Sequence, residues 1–132
     1  MTLKKITKQN KIVLVVEDEL PLQNAIKIKL EKNGFQVLTA RSVEQAMNHI
    51  LDIEKIDVIW LDHYLLGGKT GLDFVVTLKN DKKYKSIPIF VVSNTASSDK
   101  VKSYISLGAT KYYTKANYRL EQIIEDMRKV ID

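Results

Sequence analysis

The chain has 132 residues, of which 45% are apolar and 28% charged, and it contains no cysteine. Those values suit one globular domain with an ordinary core, and they exclude a disulfide framework and a thiolate metal site. The net charge of +5 is unevenly spread: Lys4, Lys5, Lys8 and Lys11 lie ahead of the first strand, and the rest carries 17 basic against 16 acidic residues. The excess therefore reads as a solvated basic tail over residues 1–10 with a small second cluster at Lys79 to Lys85, and no direct DNA binding is expected. No apolar run is long enough to span a bilayer, and Ile6-Thr7-Lys8-Gln9-Asn10 forms no secretory h-region, so a cytoplasmic protein is expected.

In chain order, Lys11–Val16 is an almost wholly apolar strand that runs into Glu17-Asp18-Glu19. Pro21 suits a helix first turn, Leu22, Ile26 and Leu30 mark one face, and Gly34 ends that helix. Phe35–Ala40 is the second strand. Ser42 with Gln45 forms a capping box for a helix whose apolar stripe is Val43, Ala46, Met47, Ile50 and Leu51. Ile56–Leu61, interrupted only by Asp57, is the third strand and ends at Asp62. A glycine-rich loop leads to a helix over about Gly71 to Lys79. Ile87–Val92 is the fourth strand, with Pro88 at its start. Val101, Tyr104 and Ile105 lie on the next helix, which Gly108 stops. Lys111–Thr114 is the fifth strand and ends at Lys115. Asn117 caps a last helix with Leu120, Ile123, Ile124 and Met127 inward. Five such units with continuous apolar strands predict an α/β fold, a parallel sheet covered by helices on both faces.

In an open parallel sheet, ligands bind at the carboxyl ends of the strands. Glu17, Asp18 and Asp62 at the ends of strands one and three suit a hard divalent cation, and magnesium fits an all-oxygen site. Asp62 can act as a nucleophile on phosphorus, giving an acyl phosphate. Lys115 supplies a point charge for the phosphoryl oxygens, and Ser93, after strand four, a hydroxyl. Trp60 reads as core. His49 reads as packing or surface, and His63 as a partly exposed loop side chain.

These residues resemble the response-regulator receiver domain of two-component signalling from Lys11 to Asp132. The matching segments are Val15-Val16-Glu17-Asp18-Glu19, Ile59-Trp60-Leu61-Asp62, Gly71-Leu72-Asp73, Val91-Val92-Ser93 and Gly108-Ala109-Thr110-Lys111-Tyr112-Tyr113-Thr114-Lys115. The resemblance implies a flavodoxin-like, doubly wound five-stranded sheet of order 2-1-3-4-5 with five helices. It makes Asp62 the phosphoacceptor, Asp18 a direct magnesium ligand, Glu17 a ligand through water, and the main-chain carbonyl of Tyr64 a further ligand. Ser93 is then the switch hydroxyl, Tyr112 the switch aromatic, able to rotate inward from an outward position, and Lys115 the phosphoryl-binding lysine.

Three departures from the family pattern stand out. Leu66 replaces proline and Gly71 follows Asp62 by nine residues instead of eight, so Gly67-Gly68 absorb a one-residue insertion. Asn94 replaces a small residue. Ala116 replaces the proline after Lys115, and a trans bond is expected there because a cis bond before a non-proline residue costs about 2.5–4 kcal/mol.

The expected function is a phosphorylation-controlled receiver, served by a sensor histidine kinase or phosphotransfer protein. It is not an enzyme beyond magnesium-dependent self-phosphorylation and self-dephosphorylation. No output domain follows the last helix, so a stand-alone, chemotaxis-regulator-like chain or a fragment of a longer regulator is expected. Output passes to a downstream protein or output domain through the face of helix four, strand five and helix five. The alternatives are a degenerate receiver acting as an interaction module, which retention of the acids, Ser93 and Lys115 argues against, and a flavodoxin-like nucleotide binder. The latter is disfavoured because the loop after strand one is acidic, not a glycine- or hydroxyl-rich phosphate cradle.

Overall fold

The computed structural model describes residues 10–95 and 97–132. The tail lysines Lys4, Lys5 and Lys8 lie outside the described residues. Continuous apolar runs form β1 (Ile12–Val16), β2 (Gln36–Ala40), β3 (Val58–Leu61), β4 (Ile89–Ser93) and β5 (Lys111–Thr114). All their pairings are parallel, in the order β2-β1-β3-β4-β5. The alternating helices are α1 (Leu20–Lys32), α2 (Val43–Asp52), α3 (Gly71–Lys79), α4 (Ser98–Ser106) and α5 (Leu120–Ile131), with a single 3₁₀ turn at Lys115–Asn117.

The two-residue period of a strand divides the core into two layers. Leu14, Val16, Ile59, Leu61 and Val91 face α2, α3 and α4, where Ala46, Ile50, Phe74, Leu78 and Tyr104 meet them. Val13, Val15, Trp60, Phe90 and Val92 point the other way and pack on Ile26, Leu30, Ile123, Ile124 and Met127 of α1 and α5. Trp60 is core, 1% exposed.

Several boundaries and faces differ from the sequence expectations. β3 begins at Val58; before it, the Asp57 N–H donates to Ile12 O at 2.9 Å while its Oδ2 accepts from the Ile12 N–H at 2.8 Å, pinning the amino ends of β1 and β3 together. β4 begins after Pro88, which lacks an N–H for the ladder, and it extends through Ser93. Leu51, expected in the apolar stripe of its helix, is 67% exposed. The last helix starts later than expected, since Asn117 belongs to the 3₁₀ turn and the N-terminus of α5 is closed instead by the Arg119 N–H donating to Gln122 Oε1. Ser42 accepts from the Gln45 N–H as expected, while Gln45 Oε1 reaches back to Arg41 N–H, one residue beyond the cap. No cis peptide bond occurs among the described residues, so the Lys115–Ala116 bond is trans.

Candidate functional site

Parallel strands of matched register carry their last residues to one edge. Val16 pairs with Leu61, so Glu17 and Asp62 emerge side by side, and the Asp62 N–H donates to Val16 O at 3.0 Å. Ser93 ends β4 opposite Thr114 of β5, and Lys115 follows directly. Carboxylate oxygens of Glu17, Asp18 and Asp62 lie within 4.8 Å of one another. The Lys115 ammonium enters the group, donating to Glu17 Oε1 at 2.9 Å and to Asp62 Oδ2 at 3.3 Å. The sequence-predicted residues Glu17, Asp18, Asp62 and Lys115 are thus brought together.

Main-chain and side-chain bonds fix these acids. Glu17, 1% exposed, accepts from the Glu19 N–H through Oε2, and Gln23 Nε2 donates to Glu17 O and Ala40 O. Burial raises the Glu17 carboxyl above its usual range, aided by the Asp62 charge and opposed by the Glu19 N–H and Lys115. Burial works against the Lys115 ammonium, but its hydrogen bond to Glu17 and the charges of Asp62 and Glu17 outweigh that and hold it above its usual range. The Arg41 guanidinium donates twice to Asp18 O, at 2.9 and 2.7 Å, and so anchors the acidic loop to the start of α2. Leu66 N–H donates to Arg41 O, and a parallel bridge pairs Ser42 with Leu66, which ties in the loop after β3. That loop turns at Gly67, whose φ of +81° favours glycine, and ends at Thr70, which forms a capping box with Asp73.

Ser93 is fully buried, and its Oγ is the sole buried side-chain polar atom without a partner among the described residues. Tyr112 differs from its expected outward position. Its ring is partly buried against the α2–α3–α4 layer, and its hydroxyl donates to Thr95 O at 2.7 Å, two residues past Ser93. In this position its ring lies tilted against that of Tyr104, the centroids 5.7 Å apart. Tyr64 is exposed, with its ring under Lys100. His63, expected to be partly exposed, is instead buried at 7% exposure, and its Nδ1 lies 2.6 Å from the Tyr104 hydroxyl. His49 is an ordinary packing residue, its Nε2 bonded to Thr39 O. Sequence reasoning missed Arg41, Thr70 and the His63–Tyr104 pair; only the Thr70–Asp73 spacing carried a local signal.

Three carboxylates facing one ammonium leave an excess of negative charge and an all-oxygen donor set, so these residues can bind a metal ion of hard character. An acidic pocket with a lysine on its rim, at the carboxyl edge of a doubly wound sheet, places the chain among α/β domains whose ligand chemistry occurs at the strand ends. The family model for the response regulator receiver domain matches residues 13–128, and the chain belongs to that family. The phosphate regulon transcriptional regulatory protein PhoB of Pseudomonas aeruginosa is 34% identical over 105 residues, covering 80% of this chain and 45% of its own length. The chain therefore spans less than half of that curated relative. Among solved structures, a response regulator receiver protein from Pseudomonas putida superposes with a TM-score of 0.85 at 22% identity, over 93% of this chain and 99% of its own. The chemotaxis response regulator CheY4 of Vibrio cholerae gives 0.82 at 24% identity, over 92% and 99%. At these identities the structures speak for the fold, and five parallel strands in the order 2-1-3-4-5 with five helices are common to it.

Proposed function

We propose that the domain accepts a phosphoryl group on Asp62 from the phosphohistidine of a sensor histidine kinase or phosphotransfer protein, and that this acyl phosphate controls its surface. The observation that carries the reading is the convergence of the Glu17, Asp18 and Asp62 carboxylates on the Lys115 ammonium. In the transfer an Asp62 carboxylate oxygen forms a bond to phosphorus as the phosphorus–nitrogen bond to the donor imidazole breaks, and the imidazole leaves with the electron pair and takes a proton from solvent. Lys115 balances charge on the phosphoryl oxygens, and the His63 N–H, 2.7 Å from Asp62 Oδ1, orients the nucleophilic carboxylate.

Glu17, Asp18 and Asp62, with the main-chain carbonyl of Tyr64, would hold magnesium, whose charge offsets that of the carboxylates and the incoming group. Ser93 Oγ, buried and unpartnered, is placed to donate to a phosphoryl oxygen. Tyr112 already lies inward on Thr95, so phosphorylation selects this arrangement from the population instead of starting the rotation. The output face is α4, β5 and α5, which carries exposed Ile105 on α4 and the Lys111–Asp126 pair between β5 and α5, and it contacts a downstream protein or output domain, not DNA. The domain is not an enzyme beyond its own phosphorylation and dephosphorylation. No helix of the described residues is long and apolar enough to cross a membrane, and a cytoplasmic setting fits the kinase partner.

Incubation with phosphoramidate and magnesium, followed by intact-mass measurement, should show one phosphoryl adduct in wild type and none in Asp62→Asn. Stoichiometric labelling of Asp62→Asn would sink the assignment.

A further inference from the structure

Two consecutive residues of the loop after Asp62 grip α4 one helical turn apart. The Tyr64 ring lies beneath Lys100 Nζ, 5.0 Å from its centroid, and its hydroxyl is 3.3 Å from the same nitrogen. That contact is exposed and weak. The other is neither. Tyr104 is fully buried, His63 is 7% exposed, and Nδ1 and the hydroxyl are 2.6 Å apart. The rings meet edge to face, with centroids 5.7 Å apart and planes at 84°. Gly71, at the start of α3, leaves room for this contact, since a Cβ there would lie 2.7 Å from the Tyr104 hydroxyl.

The proton's place follows from the inventory of donors. A neutral imidazole offers one donor and one acceptor, and the Tyr104 hydroxyl has no other hydrogen-bond partner among the described residues. Either neutral tautomer can form the bond, but only a hydroxyl that donates to Nδ1 leaves no buried O–H without an acceptor, which assigns the imidazole proton to Nε2. On its main-chain side His63 is held as firmly: its N–H donates to Asp62 Oδ1 at 2.7 Å and its carbonyl accepts from Gly71 N–H at 2.9 Å. An unbroken series of bonds thus runs from α4 through the His63 side chain and main chain to one oxygen of Asp62.

Resting on the phosphotransfer reading above, we propose that His63 and Tyr104 are a positioning pair that fixes the Asp62 carboxylate against α4, so that the acceptor's readiness depends on where α4 lies. Removing the hydroxyl frees the imidazole to turn, loosens the peptide that holds Oδ1, and lowers the fraction of time the carboxylate is aligned for attack. A tyrosine that merely filled the core would give none of this, because phenylalanine fills the same space.

The test uses the full chain with phosphoramidate and magnesium, following labelling by intact mass over a range of donor concentrations. Tyr104→Phe and His63→Leu should each slow the saturating rate about two- to tenfold, the worth of one hydrogen bond, with the half-saturating donor concentration little changed. The double variant should be no slower than either single one. His63→Asn, which returns an oxygen acceptor close to the place of Nδ1, should recover most of the rate. Wild-type rates in folded Tyr104→Phe, additive losses in the double variant, or no recovery in His63→Asn would each overturn the pair while leaving phosphotransfer to Asp62 intact. Failure of the wild type itself to label would instead overturn the phosphotransfer reading and the pair's role with it. Should the variants fail to fold, the nitrogen shifts of wild-type His63 decide: Nδ1 must be the unprotonated acceptor at neutral pH, and a proton on Nδ1 overturns the proposal.

Discussion

Lys115 Nζ lies 2.9 Å from Glu17 Oε1, closer than the 3.3 Å that separates it from Asp62 Oδ2. The ammonium therefore rests on the more deeply buried of its two partners, where the low polarity of the surroundings strengthens the attraction and an unpaired carboxylate would cost most. A cation entering the acidic group competes with Lys115 for Glu17, and that competition sets up the first expectation.

Magnesium should raise the melting temperature of the wild type relative to chelator, because three carboxylates are held close with only one ammonium between them. At one hundred times its dissociation constant the ion should contribute about 2.7 kcal/mol. Asp18→Ala removes one donor without touching the Lys115 contacts. Superimposable magnesium responses of variant and wild type by calorimetry would remove Asp18 from the site.

Ser93→Ala should stabilise the unphosphorylated protein, by about 1 kcal/mol, because it removes a buried hydroxyl that has no partner among the described residues. The same variant should lose the phosphorylation-dependent amide shifts around Tyr112. Chemical denaturation and nuclear magnetic resonance with a phosphoryl mimic report the two effects separately. Destabilisation of the resting state, or full propagation to Tyr112 without the hydroxyl, contradicts this role.

Gly71→Ala should destabilise by about 1–3 kcal/mol. The added Cβ would lie 2.5 Å from Asp62 O, 2.7 Å from the Tyr104 hydroxyl and 3.2 Å from His63 Cα, so two of its three neighbours are backbone that cannot swing aside. Labelling should slow in parallel, since the displaced atoms include the main chain of the acceptor. A variant as stable as wild type in urea would show that α3 can retreat from Asp62 freely.

Glu121 and Lys29 join α5 to α1 at 2.6 Å, and the hydrogen bond from Lys29 holds the Glu121 carboxyl below its usual range. A lowered carboxyl pKa in the folded state means the unfolded chain binds more protons as acid is added. The pair's contribution is therefore present above the ordinary carboxylate range, near 4.5, and is lost as pH falls through the folded value. Glu121→Gln should melt below wild type at pH 7, and the gap should close at low pH and shrink in high salt. A gap that persists in acid would mean the loss has another origin than charge.

The parallel alternation of strands and helices and the site's acids were legible because both depend on short-range pattern, whereas the order of the strands came only with the family resemblance. Apolar runs such as Leu14-Val15-Val16 mark buried parallel strands, and residues placed just past such runs must gather at one edge. What stayed hidden depends on partners distant in sequence. His63 looked like a loop side chain because Tyr104, which buries it, is 41 residues away. Leu51 matched helical spacing yet ended outside, since the stripe facing the sheet is narrower than a periodic pattern implies. Tyr112 has no local signal for its rotamer, which is set by the Thr95 carbonyl on a neighbouring strand's loop.

The double contact of Arg41 with Asp18 O has a consequence for the direction in which strain can travel. With the Leu66–Arg41 main-chain bond it cross-braces the three loops on the β1, β2 and β3 side into one wall. On the β4 and β5 side, the side-chain link between the loop after Ser93 and its neighbour strand is, among the described residues, the Tyr112 hydroxyl on Thr95 O. A bulky anion placed there meets a braced wall on one side and, on the other, a loop whose tie to β5 is one hydroxyl. The acceptor site is therefore mechanically one-sided, and a displacement is taken up first by the loop after β4.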